Sequence, residues 1–248
     1  MATTDNQVWY RPAKKQTWIG LRIMNYFFKT PVIVAAIALM AAVPGISSIV
    51  HKSDIRDART LTSGTVTTIK GTVTVPSGAF ASSTYDQGFA IQDKTGGIYI
   101  STQTNHRLKL GDTAEVTGIL GQTFGLTIVT PGSGRSVLIK RDNDTVTPQR
   151  IATGSVNEVS EGRLVTIRGT VSQAVASDLP YGYKFYVNDG SGEIQVFVST
   201  SSNLDLNQMS LGQKVSITGF SGQFDTTYEV QPRIQKDIKV LRSDRDDR

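Results

Sequence analysis

Apolar positions along the chain follow two rhythms. From Val32 to Val50 nineteen consecutive residues, VIVAAIALMAAVPGISSIV, carry no charge. Further on, apolar and polar residues alternate. Phe89 and Ile91 interleave with Ala90 and Gln92, and Phe185 and Val187 with Tyr186 and Asn188. The unbroken run predicts a helix of roughly 28 Å, close to the hydrocarbon thickness of a bilayer. The period of two predicts short strands, each with one buried face.

The strands come in two sets. TIKGTV at 68–73 returns as TIRGTV at 166–171, and the likeness runs on through Asp93 with Asp189, Gly96 with Gly192 and Ile98 with Ile194. LKLGD at 108–112 corresponds to MSLGQ at 209–213, and Gly118 to Gly219. The offset drifts between these matches, so insertions fall in loops while the strand cores correspond. DKTGG and DGSGE, between the second and third strands, have turn chemistry: glycine for positive φ and aspartate to cap the turn. Each copy thus reads as five strands, with room for a helical connection between the third and fourth. The glycine of the hexapeptide lets a long first strand bend and join both halves of a small barrel.

These residues carry a resemblance to the OB-fold of bacterial exported and nucleic-acid-binding domains, with its pattern V-x-G-x-V, GF-x-I-x-D-x-x-GG-I-x-V and L-x-x-GD-x-V-x-V-x-G. Residues 62–140 follow it through Gly71, Phe89, Asp93, Gly97, Gly111, Asp112 and Gly118; residues 160–242 depart where Glu193 replaces Gly97 and Gln213 replaces Asp112. The resemblance implies an all-β class, two tandem five-stranded OB-fold barrels, here preceded by a single transmembrane α-helix. It also implies a ligand face on strands two and three, with aromatics for stacking and cations for phosphate. In the first copy that face comprises Ala90, Gln92 and Tyr99, with Arg107 and Lys109 near its rim. In the second it comprises Tyr181, Tyr183, Lys184, Tyr186, Gln195 and Phe197, with Arg168 on the first strand.

Charge changes the picture. Residues 1–59 hold eight basic and three acidic side chains, which account for the whole net charge of +5; the eighteen of each sign that remain cancel. Five cations precede the uncharged run, and Trp18, Tyr26, Phe27, Phe28 and Lys29 form an aromatic, basic approach suited to a membrane interface. Ile19, Ile23, Tyr26 and Phe27 share one helical face, either of an amphipathic surface helix or of an extension of the span. The approach is long and the run exceeds a signal-peptide core, so an uncleaved anchor is expected rather than a cleaved signal. The expected plan is a cytoplasmic segment 1–31, a span 32–50, a juxtamembrane linker 51–61, barrels 62–140 and 160–242 joined by a linker 141–159, and a charged tail 243–248. By the positive-inside rule the barrels lie on the extracytoplasmic, periplasm-like side of an inner-type membrane.

Catalytic motifs are missing from this reading. There is no cysteine, G-x-S-x-G or P-loop, and His51 and His106 have no partners at metal-ligand spacing. DND at 142–144 and DGSGE at 189–193 lack the oxygen spacing of an EF-hand. The sequence therefore predicts no enzyme, no metal and no cofactor. Its expected partners are the lipid bilayer and other protein subunits of a membrane or envelope complex, for which the chain is an assembly subunit. The alternative is an exported receptor for single-stranded nucleic acid or oligosaccharide, with nucleic acid disfavoured by the neutral barrels.

Overall fold

A computed structural model describes residues 51–132 and 136–241. The expected span 32–50, its approach with Trp18, Tyr26, Phe27, Phe28 and Lys29, and the tail lie outside the described residues. Among the described residues no helix is long and apolar enough to cross a membrane.

Fourteen strands follow one another along the described chain. The first seven are β1 (His51–Lys52), β2 (Val66–Val75), β3 (Phe89–Gln92), β4 (Gly97–Ile100), β5 (Thr113–Thr123), β6 (Leu126–Pro131) and β7 (Val137–Lys140). The second seven are β8 (Gln149–Arg150), β9 (Leu164–Asp178), β10 (Gly182–Asn188), β11 (Glu193–Ser199), β12 (Lys214–Phe224), β13 (Thr227–Gln231) and β14 (Ile238–Val240). The first sheet runs β1-β2-β3-β4-β6-β5-β7 and closes through β2–β5; the second runs β14-β12-β13-β11-β10-β9-β8 and closes through β12–β9. Each is a closed five-stranded Greek-key barrel in which the third and fifth strands pair in parallel, the connectivity of an OB barrel.

The repeated hexapeptide sits where this closure needs it. β2 pairs with β5 through Thr72 and with β3 from Thr72 onward, and Gly71 lies at the changeover. A Cβ there would stand 2.8 Å from the Gln92 carbonyl oxygen, and one at Gly169 would stand 2.7 Å from that of Asn188. Glycine is thus required by the close passage of the neighbouring strand as the first strand coils. The barrel interiors are filled by Ile69, Phe89, Ile91 and Ile98 in the first copy and by Ile167, Phe185, Val187 and Ile217 in the second.

Two features differ from expectation. The connection between the third and fourth strands holds no helix in the first copy and a short 3-10 turn, Thr200–Ser202, in the second. The segments read as linkers supply β1 and β8, which pair in parallel with β2 and β9, and a one-turn helix, Ile55–Ala58, whose Ile55 is buried in the first core.

The turn aspartates tie those segments down. Asp93 accepts the N–H groups of Thr95 (2.7 Å), Gly96 (2.8 Å) and Ile55 (2.9 Å). Asp189 accepts those of Ser191 (3.0 Å) and Thr153 (3.1 Å) together with the Ser191 hydroxyl. Burial works to raise the Asp93 pKa, but its hydrogen bonds outweigh that and hold it below the ordinary 3.8. At Asp189 the Ser191 and Thr153 hydroxyls, then the Ser191 N–H, push the carboxyl far down. A carboxylate with a depressed folded-state pKa contributes stability that is complete above its unfolded value and lost as pH falls toward the folded one. Urea midpoints are therefore expected to hold steady from pH 7 to about 5 and to fall below about pH 4. Asp189→Asn is expected to be destabilised at pH 7, with the gap to wild type closing toward about pH 2. Curves that stay parallel down to that pH would refute the assignment.

Candidate functional site

The face expected to hold ligand in the first barrel is covered by the second. Ala90 and Tyr99, opposite each other on β3 and β4, are buried in a cluster with Val75, Phe80, Leu126, Ile128 and Phe220, the last contributed by β12. The Phe220 ring lies 6.1 Å from Phe80 and 6.0 Å from Tyr99. Gln92, the third residue of that face, accepts the Leu164 N–H at 2.7 Å. Beside it the two backbones touch, since a Cβ on Gly97 would overlap the Gly162 carbonyl and one on Gly162 would overlap that of Gly97. Tyr99, expected to stack on a ligand, is 2% exposed and donates its hydroxyl to Asp86 at 2.8 Å. Burial, then the Asp86 charge, pushes its pKa well above the ordinary phenol value. It is a structural residue of the junction.

Polar contacts frame this apolar plug. Arg59 donates to the buried carboxylate of Glu161 at 2.9 Å and to Glu158 at 3.0 Å, and the Thr127 N–H donates to Glu161 at 3.1 Å. Arg163 donates to the Thr95 carbonyl, and Arg233, paired with Asp237, donates to the Thr74 carbonyl at 2.7 Å. The tips of the last hairpins also meet: Phe124 and Phe224 stack at 5.0 Å, and the Asp225 N–H donates to the Phe124 carbonyl at 2.7 Å.

The second barrel keeps part of its face open. Register places Lys184 opposite Phe197 and Tyr186 opposite Gln195, all on the outer side of β10 and β11. Phe197 is buried at 4% exposure, with its ring against Gly182, whereas Lys184, Tyr186 and Gln195 are half-buried. The Tyr186 hydroxyl donates to Gln195 (3.1 Å), and Gln195 and Gln231 each donate to the buried Glu229 (2.6 Å). This chain of bonds fixes the ring across three strands. Tyr183, by contrast, shares the inward side with Phe185 and Val187. Tyr181 lies at the barrel junction, where its carbonyl accepts the Ser82 hydroxyl and its ring meets Tyr85 edge-on at 5.7 Å. Tyr85 is 56% exposed at φ 57°. Sequence reasoning passed it over because no repeat or period marks the long loop that carries it.

The remaining candidates are dispersed. Arg168 lines an open depression of about 620 Å³ with Thr170, Asn188, Gly190 and Lys214. Arg107 and Lys109 are exposed in the 101–112 connection, where the Arg107 carbonyl accepts from Arg141. His106 stacks edge-on against Phe89 at 5.9 Å, and burial lowers its pKa. Among the described residues no group of three or more His, Asp or Glu side chains is placed to hold a metal ion.

No family model matches the chain. A curated relative, the endonuclease YhcR of Bacillus subtilis (strain 168), is 28% identical over 186 residues, which cover 70% of this chain and 15% of the relative. The chain thus spans a minor part of that relative's length. Among solved structures it is similar to the OBody AM1L10 bound to hen egg-white lysozyme (18% identical, TM-score 0.32, covering 40% of this chain and 100% of that one). It is likewise similar to the OB domain of MM0293 from Methanosarcina mazei (19%, TM-score 0.33, covering 40% and 88%). A third is the protein ygiW from E. coli (17%, TM-score 0.28, covering 39% and 91%). The match to an endonuclease overturns the expectation that this chain is not an enzyme.

Proposed function

We propose that the paired barrels bind single-stranded nucleic acid and present it for phosphodiester cleavage. The observation that carries this reading is the match to an endonuclease over a stretch longer than either barrel. Local geometry supports it. The open part of the second barrel offers an aromatic ring held by hydrogen bonds, Tyr186, on the same outer side of β10 as a cation, Lys184. Single strands are held on such elements, by base stacking next to backbone neutralisation. Overall neutrality of the barrels is no obstacle when charges of one sign are gathered on one face. The role of assembly subunit in a membrane complex draws no support from the described residues. An extracytoplasmic position belongs to the proposal, motivated by the uncharged run 32–50 and the cations before it; a C-terminal tag open to protease in intact spheroplasts is the expected result, and a protected tag would overturn it.

Fluorescence anisotropy of a labelled oligodeoxythymidine with the full chain tests the main reading. Binding that tightens as salt is lowered is expected, with release of shortened labelled fragments on incubation. Tyr186→Ala is expected to weaken binding by about 1–3 kcal/mol, the usual worth of one stacked base. Absence of binding at about 20 mM salt, where phosphate contacts are strongest, would overturn the proposal.

A further inference from the structure

The second barrel carries a row of cations that the first does not, on a face away from strands two and three. Arg168 on β9 stands opposite Ser216 on β12, and Ser216 stands opposite Lys239 on β14. One step along, Thr170 faces Lys214; one step the other way, Arg150 on β8 lies beside Thr166. The intervening Ile167 and Ile217 belong to the barrel core, which puts Arg150, Arg168, Lys214 and Lys239 together on the outer side. All four are exposed and make no ion pair with any described residue. Thr166, Thr170, Ser216 and Thr218 lie between them; the Thr166 and Thr218 hydroxyls bond each other at 2.7 Å and Ser216 is buried, which leaves the half-buried Thr170 as a further donor to phosphate oxygen.

The duplication supplies an internal control. At the same places the first barrel has Lys70 opposite Glu115 and Glu115 opposite Leu138, with Thr113 where the second barrel has Lys214. Glu115 also lies 3.5 Å from Lys52, and Lys140 is paired with Asp142 at 3.0 Å. On this face the first copy therefore sets Glu115 and Asp142 among its lysines. In the second, serine replaces the glutamate and lysines replace leucine and threonine. Asp189 lines the depression beside Arg168 and Lys214 and keeps its charge, with its oxygens accepting from Thr153 and Ser191. Strands about 4.8 Å apart and alternate residues about 6.7 Å apart put the four cations within about 17 Å of one another.

We propose that this outer face of β8, β9, β12 and β14 is a track for the phosphodiester backbone of a nucleic acid strand. The inference rests on the nucleic-acid reading above and adds a second contact surface to it. The two surfaces are continuous. Asn188 faces Thr170 across the β10–β9 seam, two residues from Tyr186 on one strand and two from Arg168 on the other. The depression beside Arg168 and Lys214 lies on this path. A strand stacked on Tyr186 runs over Asn188 and Thr170 onto the cations.

The test is the salt dependence of oligodeoxythymidine binding by the full chain. Each phosphate contact contributes about 0.7 to the slope of log K against log salt for single strands. Replacing Arg150, Arg168, Lys214 and Lys239 by alanine is expected to flatten the slope by about 2–3 and to weaken binding at least about tenfold at 100 mM salt. Exchanging Arg for Lys and Lys for Arg at these positions is expected to preserve the slope, as is alanine at Lys52 and Lys70. Tyr186→Ala is expected to lower affinity at unchanged slope. Wild type that binds no oligonucleotide would sink the nucleic-acid reading as a whole; wild type that binds while the neutralised variant keeps its slope would overturn this inference alone. Vesicles of phosphatidylglycerol and phosphatidylcholine provide the other arm. Loss of vesicle binding in the variant with an unaltered oligonucleotide slope would assign the face to lipid headgroups and overturn the proposal.

Discussion

Arg59→Ala is expected to destabilise the paired barrels by about 3–5 kcal/mol, because it leaves a buried carboxylate without its counter-ion. Arg59 has 13% of its side chain exposed and Glu161 none, and the guanidinium is 2.9 Å from the carboxylate. The Thr127 N–H donates to the same Glu161 oxygen, and the other oxygen has no hydrogen-bond partner in the protein. A solvent-exposed pair would contribute about 0–1 kcal/mol. The difference between these magnitudes makes the experiment decisive. Chemical denaturation of wild type and variant reads the loss directly. Adding Glu161→Gln to the Arg59 variant is expected to recover much of it, since a neutral amide still accepts from Thr127 and carries no charge to strand. A loss below about 1 kcal/mol would show that water reaches the pair.

Phe220→Ala is the second large effect, also about 3–5 kcal/mol. Phe220 is 1% exposed and fills the space between Phe80 and Tyr99. Truncation leaves a cavity lined by both barrels, and neither closed sheet can move in to fill it. Hydrogen exchange adds a readout of position: protection is expected to fall over β3 and β4, which the ring covers, while Ile217 and its neighbours in the second core stay protected. A small loss with unchanged exchange at 89–100 would mean that the first barrel's face is closed by something other than this side chain.

Much of the architecture was written in local pattern. TIKGTV and TIRGTV became the coiled first strands, and Asp93 and Asp189 cap the turns their neighbours implied. What covers each face was not written there. Period two separates inward from outward residues but does not say whether an outward residue meets water or another barrel. Tyr99 and Gln195 occupy equivalent outward positions; one is buried at the junction and the other holds Tyr186. Phe220 looked like any residue closing a strand. The beginnings of the two units at β1 and β8 were missed because two-residue strands leave no periodicity. Net charge hid the cation row for a different reason: residues 160–242 hold eight basic and eight acidic side chains, so a sum over the second copy cancels the excess on one face against acids elsewhere in the same barrel.

The touching backbones at Gly97 and Gly162 have a bearing on how this chain arose and how it can be cut. Two copies of an ancestral module, once fused, surrendered their independence at that point. Neither can acquire a side chain there, and neither can be excised without baring Tyr99 and Phe220 to water. Producing either barrel without the other would yield a sticky fragment rather than a usable module. Engineering of this protein has to treat the duplicated pair as its smallest portable piece.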